Sequence, residues 1–140
     1  MQAKRLFARV ATAFALVSGM CIAPGEGTGT AHAHHSFAVF FDADKAVSVT
    51  GVVTEFQFVN PHGVIRLRVK NTAGVEEDWK FETNSPSILR RRGWTPESLQ
   101  VGETVTIEGW PAKDNPHYGR LRAAKRANGE AIGKPLTTED

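Results

Sequence analysis

The sequence predicts a mainly β protein with five strands and one short helix between the third and fourth strands. Three observations predict this class. Apolar and polar residues alternate in five short segments, turn residues separate those segments, and helical spacing appears only once among them. About 107 residues remain if an N-terminal leader is removed, which suits one domain with a single core.

Three strands are predicted before the helix. The first covers 47–58, and its alternation slips near Gly51, where a glycine indicates a bulge or a sharp bend. The second covers 64–70 and alternates without a slip, and the third covers 77–82. Short turns rich in Asn, Pro and Gly separate these segments, so we expect consecutive strands to be antiparallel neighbours.

A short helix is predicted after the third strand. Asn84 or Ser85 caps it, Pro86 lies in its first turn, and Gly93 ends it. The basic run 90–92 falls in the last turn, where positive charge favours the negative end of the helix dipole. We interpret this run as a helix end in preference to a phosphate or carboxylate site.

Two further strands, over 104–110 and 120–126, complete the pattern. Three strands, a helix and two strands is the element order of a five-stranded OB-like Greek-key β-barrel, and an up-and-down sandwich is the alternative. The glycines Gly51 and Gly109 favour the barrel, because small closed sheets need strongly coiled strands.

The first 33 residues are predicted to be a secretory signal peptide. Basic residues precede an uncharged apolar run over 10–23, and Ala31-x-Ala33 fits the small-x-small cleavage pattern. Cleavage after Ala33 starts the mature chain at His34, and cleavage after Ala31 is the alternative. Lipidation at Cys21 is disfavoured because the residues before it match a lipoprotein signal poorly. We therefore expect a periplasmic or secreted protein.

The predicted organisation is a signal peptide over 1–33, a barrel domain over 34–128 and a flexible C-terminal tail over 129–140. The apolar run of the leader is too short for a permanent membrane span, and none is expected after cleavage. The chain has 17 Lys and Arg against 15 Asp and Glu, and removal of the leader leaves 14 of each. A balanced domain is not expected to bind nucleic acid, which needs a concentrated basic surface.

The mature chain resembles a family of small exported bacterial proteins of unknown function. The resemblance covers His34 to about Arg126, and it implies an OB-like periplasmic domain without an established activity. It rests on the His34-His35-Ser36-Phe37 start, Asp42 to Lys45 before Val49-Thr50-Gly51-Val52-Val53, Asn60-Pro61-His62, Trp79 with Phe81-Glu82, Leu89-Arg90-Arg91 with Gly93-Trp94, and Val101-Gly102-Glu103 with Val105-Thr106-Ile107-Glu108-Gly109.

Histidines supply the candidate metal site. After cleavage, the α-amine and imidazole of His34 form a chelate, and His35, His62 or His117 supplies a further imidazole. An all-nitrogen planar set favours Cu(II), and the mature chain lacks the Cys and Met sulfur that Cu(I) prefers. The free amine loses its proton near pH 7.7–8.0, so it can bind metal at about neutral pH. His62 and His117 each follow Asn-Pro in a loop, and whether they converge is left open.

The aromatic residues suggest an alternative function. Trp79 and Phe81 share one strand face and are predicted to be core, and Trp94 is expected to plug one end of the barrel. Trp110 is the candidate for an exposed ligand contact, since OB barrels often stack ligands on aromatic rings. The sequence thus predicts a small copper-binding module or, alternatively, a metal-free module that binds an envelope protein or glycan. No enzyme motif is present, so catalysis is not expected, and a copper-dependent oxidative activity is the alternative left open.

Overall fold

The computed structural model describes residues 37–140 of the protein. Five strands close into a barrel in the order β1-β2-β3-β5-β4, and one short helix lies between β3 and β4. This confirms the mainly β, OB-like five-stranded barrel. The elements are β1 Val47–Gln57, β2 Val64–Lys70, β3 Glu76–Glu82, α1 Pro86–Arg91, β4 Thr104–Pro111 and β5 Tyr118–Arg126.

The barrel closes through one short parallel pairing. Strands β3 and β5 run parallel, whereas the other four pairings are antiparallel. In the parallel pairing Lys80 lies opposite Tyr118 and Glu82 lies opposite Arg120. Since side chains alternate between the two faces of a strand, these four project outward while Phe81 projects into the core. The outer face of this pairing is the floor of the site described below.

The core consists of the inward positions of all five strands, sealed by the helix and by loop residues. Burying these apolar side chains is the main favourable term for folding. Phe81 is fully buried, as predicted, and Trp79 stacks on it with ring centroids 5.9 Å apart while staying partly exposed. The fully buried apolar side chains are Val53, Ile65, Leu67, Phe81, Leu89, Val105, Ile107 and Leu121.

The strand bends lie close to where the glycines predicted them. The register of β1 against β2 slips at Thr54, three residues beyond the expected position. Gly51 allows close approach of the neighbouring strand, since a Cβ there would lie 2.6 Å from the Arg68 carbonyl oxygen. A Cβ at Gly109 would lie 2.9 Å from the Phe81 ring, and the register of β4 against β5 slips beside it. Both glycines therefore permit the coiling that closes the barrel.

Helix α1 begins after Ser85 and has Pro86 in its first turn, as predicted. Gly93 follows the helix with φ +84°, a conformation that favours glycine. Trp94 is 1% exposed and packs in the hydrophobic core, with its ring centroid 6.2 Å from that of Phe56. Among residues 37–140, no helix has the length and apolar character needed to cross a membrane.

The C-terminal segment 129–140, which we expected to be a flexible tail, packs along the barrel. Ile132 and Leu136 are 5% and 3% exposed and belong to the hydrophobic core. Backbone bonds hold the segment at several points, including Ile132 N–H to Ala124 O at 2.9 Å and Leu136 N–H to Arg122 O at 2.7 Å. The expectation of a loose tail is wrong, because two apolar side chains bury against the barrel.

Candidate functional site

A cavity of about 520 Å³ lies on the outer face of the β3–β5 pairing. Three separate parts of the chain wall it: a single helical turn at 37–40, the loop before β2, and the C-terminal residues. The floor is formed by the ends of β3 and β5. The lining residues are Phe37, Phe40, Phe41, His62, Glu82, Tyr118, Arg120, Thr138, Glu139 and Asp140.

Glu82 is the polar centre of this cavity. Its Oε1 lies 2.9 Å from His62 Nδ1 and accepts a 2.6 Å bond from Arg120 Nη1. Its Oε2 accepts a 2.7 Å bond from the Tyr118 hydroxyl. Three side chains, one from the loop before β2 and two from β5, therefore meet on one carboxylate.

His62 is oriented by this contact. With Nδ1 directed at Glu82, the second ring nitrogen, Nε2, is the one that can bind a ligand, and the side chain is half exposed. A carboxylate on one imidazole nitrogen is the usual outer-shell arrangement for a histidine that binds metal through the other nitrogen. The sequence motif Asn60-Pro61-His62 thus places a suitably held imidazole at the cavity.

Tyr118 is held in its neutral form. Burial raises the pKa of its phenol well above the ordinary value, and the hydrogen bond to the Glu82 carboxylate raises it further. The hydroxyl therefore acts as a donor to Glu82 and not as an anionic ligand. The Lys80 ammonium lies 4.9 Å from the centre of the Tyr118 ring, in a cation–π contact.

His117 lies at a different place. Its ring centroid is 5.1 Å from that of Trp79, and its Nε2 is 3.5 Å from Glu77. Glu77 and Glu82 are separated by roughly 17 Å along β3 and project from opposite faces, so their histidine partners do not converge. Within residues 37–140, no three His, Cys, Asp or Glu side chains group closely enough to hold a metal ion.

Trp110 does not have the exposed position expected of a ligand contact. It is 6% exposed, because the Phe37 ring packs edge-on against it at 5.4 Å and the Arg122 guanidinium lies 5.8 Å from its ring centre. Trp110 is on the outer face of β4, as the strand pattern implies. The helical turn at 37–40 covers that face, which corrects the expected exposure.

The helical turn at 37–40 was not predicted from the sequence. Its apolar side chains Phe37, Phe40 and Phe41 follow a helical spacing of i, i+3 and i+4, and that spacing is the signal that predicts it. Phe41 is 5% exposed and forms an isolated β-bridge with Ala112. The turn is therefore fixed to the barrel and brings three phenyl rings to the cavity.

The candidate ligands His34 and His35 lie outside the described residues, as do the predicted signal peptide and its cleavage site. Phe37, the first described residue, lines the cavity together with His62. His117 does not line this cavity.

The C-terminal wall of the cavity is held by an ion pair. Arg92 Nη2 donates to both carboxylate oxygens of Asp140, at 2.8 and 2.7 Å. Burial alone raises the pKa of Asp140, but bonds from Arg92 and Thr137 outweigh burial and lower it below its ordinary value near 3.8. The contribution of Asp140 to stability is thus present above about pH 3.8 and is lost as the pH falls through its lower pKa in the folded state.

We expect Asp140→Asn to remove part of the acid dependence of folding. The variant loses the stabilisation at neutral pH, so its stability falls less steeply than that of the wild type as the solution is acidified. Urea unfolding at a series of pH values measures this difference, and Asp114→Asn, a change in an exposed loop, is the charge-matched control. Parallel curves for the wild type and Asp140→Asn would contradict the prediction.

Comparison with solved structures finds a similar chain in the crystal structure of a complex of TiaS with an isoleucine tRNA and ATP. The identity is 17%, the TM-score is 0.44, and the match covers 61% of this chain and 19% of that chain. The protein therefore spans about a fifth of the length of this structural relative. No curated protein matches the sequence.

A protein-family model matches residues 25–121, which is more than half of the chain. The match begins within the predicted leader, includes His34, His35, His62 and His117, and extends into β5. It confirms the resemblance to a family of unknown function noted from the sequence motifs. The protein belongs to the family of unknown function DUF6152.

Proposed function

We propose that the protein is an exported binding module that holds Cu(II) where its processed N-terminus meets the cavity beside His62. The ligands are the α-amine and imidazole of His34 together with Nε2 of His62. The observation that carries the proposal is the shared cavity of Phe37 and His62, because Phe37 follows His34 by only three residues.

Chain length supports this site. Three residues span at most about 11 Å, so the chain between Phe37 and His34 is short. This short link favours a position of His34 near the cavity that Phe37 and His62 share. His35 remains a further candidate ligand, whereas His117 has its own partners, Trp79 and Glu77, at another place on the barrel.

The chemistry of the cavity also favours a bound cation. Glu82 and Glu139 contribute carboxylates, and Glu82 orients the His62 imidazole through Nδ1. A nitrogen-rich ligand set selects Cu(II) over metals that prefer oxygen, and Cu(II) has the highest affinity among the divalent first-row ions. Metal handling in the periplasm is the role that such a module would serve.

Native mass spectrometry of the exported, copper-replete protein tests this proposal, since it reports the mature N-terminus and the bound metal together. We expect a mass that begins at His34 and retains one copper ion against a competing chelator. His62→Ala is expected to lose the copper under conditions where His117→Ala keeps it. The pair is matched, because both histidines follow Asn-Pro and both contact a glutamate.

Three outcomes would count against the copper site. A terminus at His32, a metal-free protein, or equal loss of copper from the two variants each contradicts the ligand set proposed here. The second candidate function would then be favoured: a metal-free module that binds an envelope protein or glycan. Val39 and Phe40, 64% and 59% exposed on the turn at 37–40, are the apolar surface that favours this candidate.

A further inference from the structure

We propose that the same cavity binds a small organic ammonium ion, and that it does so without any metal. The cation would lie against the aromatic rings of the N-terminal turn and of Tyr118, with Glu139 as its counter-ion. None of these residues is a proposed copper ligand, so binding of the ammonium ion can be tested on metal-free protein although both sites use the same cavity.

The aromatic rings form a continuous wall. The centroids of Phe37 and Phe41 are 5.5 Å apart, and those of Phe41 and Tyr118 are also 5.5 Å apart. Phe40, on the same turn, is 59% exposed and leaves its ring available to a ligand. Aromatic faces attract alkylammonium groups, and a cluster of such rings is the usual receptor for quaternary ammonium.

Tyr118 strengthens this wall as a cation receptor. Its hydroxyl donates to the Glu82 carboxylate at 2.7 Å, which increases electron density in the ring. Lys80 already has its ammonium 4.9 Å from the centre of this ring. The ring therefore already takes part in one cation–π contact, and the Phe rings of the N-terminal turn are the main contacts expected for a ligand cation.

The charged groups that line the cavity favour a ligand with a single positive charge. Arg120 is neutralised by Glu82 at 2.6 Å, and Asp140 is neutralised by Arg92 at 2.7 Å. Within residues 37–140, the Glu139 carboxylate has no ion-pair partner, although it lines the cavity. One uncompensated carboxylate beside aromatic rings complements an organic monocation, and disfavours an anion of the same size.

The volume agrees with a ligand of this class. A cavity of about 520 Å³ lies within the usual range of roughly 300–1,000 Å³ for small-molecule sites. The lining combines the aromatic rings with polar groups on the floor and on the C-terminal wall, and polar groups in such sites fix the orientation of a ligand.

The experiment compares choline with its neutral isostere 3,3-dimethylbutan-1-ol, in which carbon replaces the ammonium nitrogen. Both are titrated into the exported protein after removal of metal with a chelator, and binding is followed by calorimetry and by NMR shifts of the Phe and Tyr rings. We expect choline to bind about tenfold or more tightly than the isostere, since shape is held constant and only the charge differs.

Two pairs of variants locate the site. Phe40→Ala and Glu139→Gln are each expected to weaken choline binding several-fold. Val39→Ala lies on the same turn but outside the cavity, and Glu97→Gln removes an exposed carboxylate elsewhere, so both controls are expected to bind normally. Phe40 and Glu139 are exposed, so neither change disturbs the core.

Equal binding of choline and the isostere, or choline binding that Phe40→Ala and Glu139→Gln leave unchanged, would overturn the proposal. Because these titrations use metal-free protein, the result separates the two proposals. Retention of copper without choline binding would refute the ammonium site alone. Choline binding without retention of copper would refute the copper site alone.

Discussion

A Gly-Ser-Gly-Ser extension in front of His34 is expected to weaken Cu(II) binding by more than the roughly 10- to 100-fold that loss of an outer-shell partner costs. The extension leaves every side chain in place and moves only the α-amine, so the amine and the His34 imidazole no longer form one chelate. A competition titration against a Cu(II) chelator of known affinity measures the loss.

The length of the extension matters for this experiment. A single added residue would make His35 the third residue of the chain, and a histidine in that position forms another nitrogen-rich copper site. The control is thermal unfolding of the metal-free protein, which should be the same with and without the extension. Unchanged copper affinity in the extended protein would show that the amine is not a ligand.

The two loop histidines show how far the sequence predicts the site. His62 and His117 both follow Asn-Pro, and this shared motif does not indicate which of them lies at the cavity. The difference arises because the partners of the two histidines lie on opposite faces of β3, and because β3 pairs with β5 where the barrel closes. His117 immediately precedes β5 and packs on the inward-facing Trp79, whereas His62 approaches the outward-facing Glu82. Such placement depends on the parallel β3–β5 pairing, which sequence alternation does not specify.

Trp110 illustrates a second limit. Alternation along β4 correctly predicts that Trp110 and its neighbour Gly109 face opposite sides of the sheet. Gly109 is buried against the core, and Trp110 is nevertheless buried too, because a segment from the other end of the chain packs Phe37 over the outer face. Exposure is a property of everything that packs on a surface, so a strand pattern alone predicts orientation and not accessibility.

The barrel itself was predictable because its signals are local. Clean alternation over 64–70 predicted β2 at its observed bounds, and Pro86 and Gly93 bracket the observed helix. The segment after 128 has no such periodicity. Its two buried residues are separated by Gly and Pro, so its packing depends on contacts with the barrel that leave no regular pattern in the sequence.

That packing predicts a large effect at Leu136. Its side chain is 3% exposed in the hydrophobic core, so Leu136→Ala is expected to lower the free energy of unfolding by about 2–5 kcal/mol through lost burial and a residual cavity. Lys134→Ala, an exposed position whose backbone N–H bonds to Arg92 O, is the control and should change stability by less than about 0.5 kcal/mol. Urea unfolding measures both variants. Equal stability of the two would mean that Leu136 contributes no core packing and does not hold the C-terminal wall of the cavity in place.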